Sequence, residues 1–250
     1  MYHWLRPQSL PSTSRSAQLE ITPELFERQM TFLSRAGYES VSLSRAVLGS
    51  GEAGLPARPV VITFDDGTLD FWEHARPVLE RVGFTATLFV VSGFVGGRSS
   101  WDRVLGEPDR LLMSWDQIRQ LHRQGFELGS HTHNHRPLTE LSDEETRSEL
   151  SRSRRKLEDE LGVAPEFLAY PRGFYDERHK RLVREAGYAG GCAVILRWRD
   201  LWRSDRYELK RMTIKGSETM LRFRLRLWLC RLVRQSAAGL PNGRSEGGSG

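Results

Sequence analysis

The amino-acid sequence predicts an α/β fold in which parallel strands alternate with helices. Short apolar runs at 60–64, 85–91 and 166–170 have the length and composition of buried strands, and segments of helical length separate them. Because parallel strands need crossover connections, which are usually helices, this alternation favours one parallel sheet. The 250 residues suit a single domain of this class and allow a sizeable core.

The elements are expected in the following order along the chain, from the spacing of apolar residues and the position of turn residues. The expected strands are Tyr2–His3, 60–64, 85–91, 126–129, 166–170, 189–195 and 207–214, and the expected helices are 24–36, 70–82, 114–124, 143–161 and 177–186. A basic amphipathic helix over 216–235 ends the predicted domain, 1–235. The Gly- and Ser-rich segment 236–250 is expected to be a disordered tail.

Two adjacent carboxylates, Asp65 and Asp66, follow the apolar run that ends at Phe64. Successive residues of a strand point to opposite faces, so both side chains serve one site only if the chain has already left the strand. A division of roles fits this position. We expect one carboxylate to bind a metal ion and the other to accept a proton.

Three of the seven histidines, His131, His133 and His135, lie together where another predicted strand ends. The carboxyl ends of parallel strands meet at one rim, so these imidazoles and the two carboxylates are expected to converge. Two histidines and one carboxylate suit zinc, cobalt, iron or nickel and leave a coordination position open. The sequence therefore predicts a hydrolytic metal site.

Three segments, 63–67 (TFDDG), 131–135 (HTHNH) and 167–173 (FLAYPRG), resemble motifs of the polysaccharide deacetylase family, carbohydrate esterase family 4. The amino-terminal segments 1–3 and 26–38 are similar to those of a bacterial subgroup in exopolysaccharide and cell-envelope pathways. The resemblance implies a distorted, incomplete (β/α) barrel. It also implies metal-dependent hydrolysis of an N-acetyl group on a sugar of a glycan or lipid-linked glycan, with release of acetate.

The same resemblance assigns roles to individual residues. It implies that Asp65 is the general base and that Asp66, His131 and His135 bind one divalent metal ion. Zinc is the expected ion, with cobalt, nickel or iron as alternatives. The backbone N–H of Arg172 would donate to the oxyanion of the reaction.

The chain departs from the family pattern at two positions. Ala169 stands where many members place an arginine that holds the base, and Arg211 is expected to replace it, because an arginine–carboxylate pair would keep Asp65 ionised. The family usually supplies a later histidine as general acid, but no histidine follows His179. His3 is the predicted replacement, with water or the protonated base as alternatives.

Composition limits the class of protein. Hydrophobic residues make up 38% and charged residues 28% of the chain, as in soluble proteins, and no apolar run approaches the roughly 20 residues of a membrane span. The net charge of +5 is carried mainly by arginine without a nucleic-acid-binding motif, so no nucleic-acid partner is expected. Cys192 and Cys230 favour free thiols. The first residues lack a secretory signal pattern, and we expect a cytoplasmic location.

One basic segment, 221–234, has two interpretations. Its apolar residues share a helical stripe, and arginines lie away from that stripe; the stripe consists of Leu221, Leu225, Trp228, Leu229 and Leu232. The helix either packs on the barrel or contacts an anionic membrane surface, which would place the protein peripherally at the inner membrane.

Two other functions remain open from the sequence. An amidohydrolase acting on a cyclic imide, a ureide or another small amide could use the same Asp and His set. A catalytically inactive relative could bind glycan without cleaving it. The long segment 93–110 is expected to form a loop that faces an N-acetylated glycan substrate, and the sequence does not indicate an oligomeric state.

Overall fold

The computed structural model describes residues 1–7, 16–49, 54–106, 108–194 and 205–238. Six parallel strands curl into a half-barrel that is surrounded by helices. This architecture confirms the expected distorted, incomplete (β/α) barrel.

The elements of the described chain are short strands and helices of widely different length. The strands are β1 (Trp4–Leu5), β2 (Glu20–Ile21), β3 (Glu39–Ser40), β4 (Pro59–Val60), β5 (Thr63–Phe64), β6 (Thr87–Val90), β7 (Glu127–Ser130), β8 (Phe167–Ala169), β9 (Gly190–Val194) and β10 (Leu209–Arg211). The α-helices are α1 (Pro23–Arg35), α2 (Leu43–Leu48), α3 (Arg76–Arg81), α4 (Trp115–Arg123), α5 (Asp143–Leu161), α6 (Glu177–Glu185) and α7 (Met220–Ala238).

The main sheet has the strand order β10-β9-β8-β7-β6-β5, and every pair is parallel. Each strand therefore ends at the same rim. Two further strand pairs, β1 with β2 and β3 with β4, form separate two-stranded sheets.

The amino terminus fills the seam between the first and last strands of the main sheet. Tyr2 forms a parallel bridge with Phe64, and its N–H donates to the carbonyl of Thr63 at 2.8 Å. On the other side, the N–H of Ile214 donates to the carbonyl of Met1 at 3.0 Å. The first residues thus act as the short strand expected at Tyr2–His3, and they carry His3 to the rim.

An aromatic cluster packs beneath this seam. The ring of Tyr2 lies 5.1 Å from Phe26 and 5.3 Å from Phe64, and Phe64 lies 4.8 Å from Phe71. Aromatic pairs of this geometry contribute about 1 kcal/mol each beyond their buried area. Because Phe64 directly precedes the two carboxylates, this packing fixes the base of the site.

Local capping explains why α5 occupies the range predicted for it. The Ser142 hydroxyl accepts a hydrogen bond from the N–H of Glu145, and the Glu145 carboxylate accepts one from the N–H of Ser142, which together form a capping box. At the other end Gly162 adopts a left-handed conformation with φ 74°, which favours glycine. Both signals can be read in the sequence.

The structure shortens most of the predicted strands, and in two of them the cause is a change of hydrogen-bonding partner along the chain. The run 60–64 divides into β4, which pairs with β3, and β5, which pairs with β6. The run 207–214 contains only the three-residue strand β10, after which Ile214 pairs with the amino terminus. The predicted helix 70–82 begins with a π-helical turn, Phe71–Ala75, before α3.

The terminal helix also differs from its prediction. It begins at Met220 and ends at Ala238, so it extends three residues into the segment expected to be a disordered tail. Residues 239–250 lie outside the described residues. Cys192 and Cys230 are free thiols, and no helix in the described ranges is both long and apolar enough to cross a membrane.

Candidate active site

The two carboxylates enter one site because the chain turns directly after β5. β5 ends at Phe64, and Asp66 adopts a left-handed conformation with φ 73°. Gly67 follows with φ 76°, a conformation that glycine adopts without steric cost. The turn brings Asp65 and Asp66 into the same site although they are neighbours in sequence, and both are 4% exposed.

Asp66 lies against two imidazoles from the loop after β7. Its Oδ1 is 3.5 Å from Nε2 of His131 and 3.5 Å from Nε2 of His135. One potential ligand atom from each of these three buried residues lies within 4.8 Å of the other two. Three N and O donors at this spacing fit one divalent cation and leave a coordination position open.

The tautomer of His131 is set by its second nitrogen. Nδ1 lies 2.8 Å from the carbonyl of Ala169 in β8, and a carbonyl only accepts, so Nδ1 carries the proton. The lone pair on Nε2 then faces Asp66, as a metal ligand requires. Burial lowers the pKa of His131, and burial, more than any neighbouring charge, holds the pKa of His135 well below its ordinary value. Both imidazoles are therefore neutral near pH 7.

Asp65 is held by a different group. Arg211 donates from both guanidinium nitrogens to the two oxygens of Asp65, at 2.6 Å and 2.8 Å. Burial disfavours the charged carboxylate, but the charge of Arg211 and its hydrogen bonds outweigh burial and lower the pKa of Asp65. The carboxylate is thus ionised at neutral pH.

The pair spans the seam of the barrel, because Asp65 follows β5 and Arg211 ends β10, the two outer strands of the main sheet. The arginine expected to replace the family residue at Ala169 thus reaches the base from a different strand. Its distance from Asp65 along the chain is 146 residues.

His3 also lies beside Asp65, with Nε2 3.9 Å from Oδ2. Burial lowers the pKa of His3 to about 4, although the charge of Asp65 opposes this shift. Its Nδ1 is buried and has no hydrogen-bond partner within the described parts of the chain. The imidazole is therefore neutral near pH 7 and stands next to the group that would receive a proton.

Arg172 lies in the turn Pro171–Gly173 after β8, and its positive charge helps to lower the pKa of His135. It has φ 57°, and the other positive-φ non-glycine residues of the described chain are Asp66, Thr132 and His135. All four belong to the candidate site or its loop. Such conformations cost about 1–3 kcal/mol each and cluster at functional sites.

The histidine loop is held by a buried acid that the sequence did not indicate. Glu149 of α5 accepts from the backbone N–H of His133 at 3.0 Å and of Asn134 at 2.7 Å. The Oγ1 of Thr132 accepts from the N–H of His135 at 3.1 Å. Nδ1 of His133 lies 3.0 Å from Ser92 Oγ, outside the three-residue metal cluster.

Two tryptophans near the metal cluster were also missed. Nε1 of Trp4 donates to Oδ2 of Asp66 at 3.0 Å, and the guanidinium of Arg110 covers the Trp4 ring at 3.9 Å. Trp101, in the segment expected to form a loop near the site, lies 4.7 Å from the His135 ring. A single tryptophan carries no spacing signal, so the sequence placed the segment around Trp101 at the substrate but indicated no contact for either side chain.

All seven residues predicted for the site therefore meet at this rim. The structure places Asp66, His131 and His135 together, with Asp65, Arg211 and His3 on one side and Arg172 near His135. Their chemical roles remain predictions.

Known proteins share this arrangement of chain. The structure superposes on the Streptococcus pyogenes deacetylase PplD in complex with acetate, with a TM-score of 0.71 and 22% identity over 90% of this chain and 94% of that one. IcaB from Ammonifex degensii gives a TM-score of 0.69 at 22% identity, covering 92% of this chain and 96% of that one. At this identity the likeness establishes the fold.

Sequence comparison identifies relatives of the same kind. YxkH of Bacillus subtilis, named as a polysaccharide deacetylase, is 27% identical over 76% of this chain and 66% of its own length. A poly-β-1,6-N-acetyl-D-glucosamine N-deacetylase of Staphylococcus aureus is 22% identical over 73% of this chain and 64% of its own length. The chain thus spans somewhat less than two thirds of the length of these relatives. The family model for polysaccharide deacetylases matches residues 52–191, and the chain belongs to that family.

Proposed function

We propose that this protein hydrolyses the N-acetyl group of an N-acetylated sugar in a glycan, releasing acetate and a sugar amine, with one bound divalent metal ion. The observation that carries the proposal is that a metal-ligand cluster and a candidate general base lie side by side. A buried three-residue metal-ligand cluster lies directly beside an ionised carboxylate that Arg211 holds in place.

Asp66, His131 and His135 would hold the metal ion. When bound, the ion supplies Lewis acidity toward water and toward the acetamide carbonyl. Such binding needs neutral imidazoles, and the burial of both histidines favours the neutral form. Zinc fits this donor set, as do cobalt, nickel and iron.

The other residues act on protons and charge. Asp65 accepts the proton of the attacking water, because Arg211 keeps it ionised and in one orientation. The backbone N–H of Arg172 donates to the oxyanion, and a preorganised donor of this kind contributes about 3 kcal/mol to the transition state. The proton that Asp65 takes from water passes to His3, whose Nε2 lies 3.9 Å from Oδ2 of Asp65, and from His3 to the departing amine, which returns both residues to their starting protonation states.

The substrate class follows from the relatives and from the walls of the site. A poly-β-1,6-N-acetyl-D-glucosamine deacetylase among the relatives favours a glycan of N-acetylglucosamine. A lipid-linked N-acetylated sugar is the alternative substrate, because it carries the same acetamide group. Trp101 beside His135 gives one wall an aromatic surface of the kind found in organic-ligand sites.

An inactive glycan-binding relative is disfavoured by the Asp65–Arg211 pair. Burial of a charged pair costs several kcal/mol of desolvation per ion before their attraction offsets it. A binding module has no need of an ionised base beside a metal cluster. A catalytic role for Asp65 therefore explains the buried Asp65–Arg211 pair better than glycan binding alone.

Acetate release tests the proposal. The purified protein, treated with a chelator and then reloaded with zinc or cobalt, is incubated with oligomers of β-1,6- and β-1,4-linked N-acetylglucosamine, a lipid-linked N-acetylated sugar, and a cyclic imide. We expect acetate from at least one sugar substrate, only after metal is restored. Hydrolysis of the imide without acetate from any sugar would establish the amidohydrolase instead. Glycan binding without any turnover would establish an inactive relative.

A further inference from the structure

The helix α7 has two opposed apolar faces, and the barrel covers one of them. Phe223 is 2% exposed, and its ring lies 6.3 Å from Phe32 of α1. Met220 and Leu227 pack against the same core. The helix is therefore anchored to the barrel through this inner face.

The outer face carries three large apolar side chains that the described chain leaves uncovered. Leu221 is 76% exposed, Leu225 is 52% exposed and Trp228 is 55% exposed. Spacings of four and three residues place them on one stripe of the helix. The other large exposed hydrophobic residues of the described chain, such as Val163, lie singly in separate segments. A contiguous apolar stripe on a surface marks an interaction site.

The charge of α7 is of one sign. It contains five arginines and no Asp or Glu over Met220–Ala238. Arg222 and Arg224 are exposed, and at about 100° per residue they flank the apolar stripe on its two sides. Neither forms an ion pair with another described residue, whereas Arg226 pairs with Glu218 at 2.6 Å.

We propose that this outer face of α7 docks onto an anionic membrane surface. Leu221, Leu225 and Trp228 enter the headgroup region, where tryptophan is favoured, and the flanking arginines reach the lipid phosphates. The helix lies in the plane of the interface, as basic amphipathic helices do. The inner face keeps it attached to the barrel, so docking brings the whole domain to the surface.

A second copy of this chain is a poorer occupant for the same stripe. Two α7 helices packed together would oppose arginine with arginine, and no acidic residue on the helix would offset the repulsion. An anionic surface instead satisfies the apolar and the basic parts together.

Flotation with lipid vesicles tests the proposal on the full chain. We expect about tenfold or greater binding to vesicles containing phosphatidylglycerol than to phosphatidylcholine vesicles, with a decrease as salt rises. Leu225→Asp with Trp228→Asp is expected to reduce binding to the level of neutral vesicles. Val163→Asp, at a residue of similar exposure (50%), is the matched control and should bind as the parent does.

A second variant measures the contribution of charge separately from that of apolar contact. It also keeps the proposal testable if the first variant does not fold. Arg222→Gln with Arg224→Gln should fold as the parent by circular dichroism and lose the preference for anionic vesicles. Equal binding of the parent to both vesicle types, or unchanged binding of both variants, would overturn the proposal. So would a stripe-dependent dimer in analytical ultracentrifugation that replaces vesicle binding.

Discussion

Asp65 and Asp66 are adjacent in sequence and equally buried, yet they have different partners. Asp65 forms a bidentate salt bridge with Arg211, with 2.6 Å from Nη1 to Oδ1 and 2.8 Å from Nη2 to Oδ2. Asp66 faces two neutral imidazoles at 3.5 Å and accepts from the Trp4 indole at 3.0 Å. The backbone turn at Asp66, with φ 73°, separates the two environments.

This difference explains how two identical side chains perform different chemistry. The guanidinium of Arg211 keeps Asp65 ionised and fixed in one orientation, so that it can accept a proton. The imidazoles near Asp66 contribute lone pairs and no charge, so that side of the site suits a cation. Substitutions near Asp66 should therefore reduce metal binding, whereas substitutions near Asp65 should reduce turnover and leave metal binding intact.

The largest effect is expected on the metal side. His131→Ala or His135→Ala should abolish stoichiometric metal binding and reduce acetate release below detection, because two remaining ligands do not complete the site. Metal content by plasma emission spectrometry checks this. His133→Ala is the matched control, since His133 lies in the same loop outside the cluster. Full metal content in both ligand variants would refute the metal site.

Asp65→Asn should separate the two halves of the site. We expect the variant to keep its metal and to lose about 10²- to 10⁴-fold in kcat, the range that general-base catalysis contributes. Metal content and acetate release are measured on the same preparation. Unchanged kcat would exclude Asp65 as the base.

His3→Gln tests the proton donor predicted beside the base. An amide cannot exchange the proton, so kcat should fall about 10²-fold while metal content stays the same. A substrate with a more acidic leaving amine, which needs less protonation, should recover most of the loss. Equal loss with both substrates would assign His3 a structural role.

Arg211→Met should change the pH dependence more than the maximal rate. Arg211 lowers the pKa of Asp65. Without Arg211 that pKa rises, so as the pH falls the base becomes protonated, and inactive, at a higher pH than in the parent. The acidic limb of kcat/KM is expected to move to higher pH, with about a tenfold loss at pH 7. Arg81→Met, which removes an exposed arginine paired with Glu27, is the control. An unmoved acidic limb would contradict the role of Arg211.

The smallest effect on acetate release is expected from Trp4→Phe, because excess metal ion compensates for a weaker affinity. Phenylalanine removes the indole N–H that donates to Oδ2 of Asp66, and the loss of such a supporting hydrogen bond typically weakens metal affinity about 10- to 100-fold. A competition assay with a chromophoric chelator measures the affinity. Trp72→Phe is matched, because Trp72 also lies under an arginine. Equal affinity in the two variants would show that the Trp4 bond is dispensable.

The fold class and the metal cluster could be predicted because their signals are local. Strand-end carboxylates and histidines with fixed spacing define the ligands, and the capping box at Ser142 with Gly162 defines α5. The division of 60–64 between two sheets could not be predicted. Strand partners are chosen by tertiary packing, and an apolar run looks the same with either partner.

The sequence by itself determined which residues are chemically able to form the site: Asp65, Asp66, His131 and His135 at strand ends, with Arg172, His3 and Arg211 as candidates. Only the tertiary structure decided that Arg211 meets Asp65, because this contact joins the two outer strands across the seam of a curled sheet. The same holds for Trp4, which reaches Asp66 because the amino terminus fills that seam. Periodicity reports which residues share a face of one element, whereas the closure of a sheet depends on how all of its strands twist together.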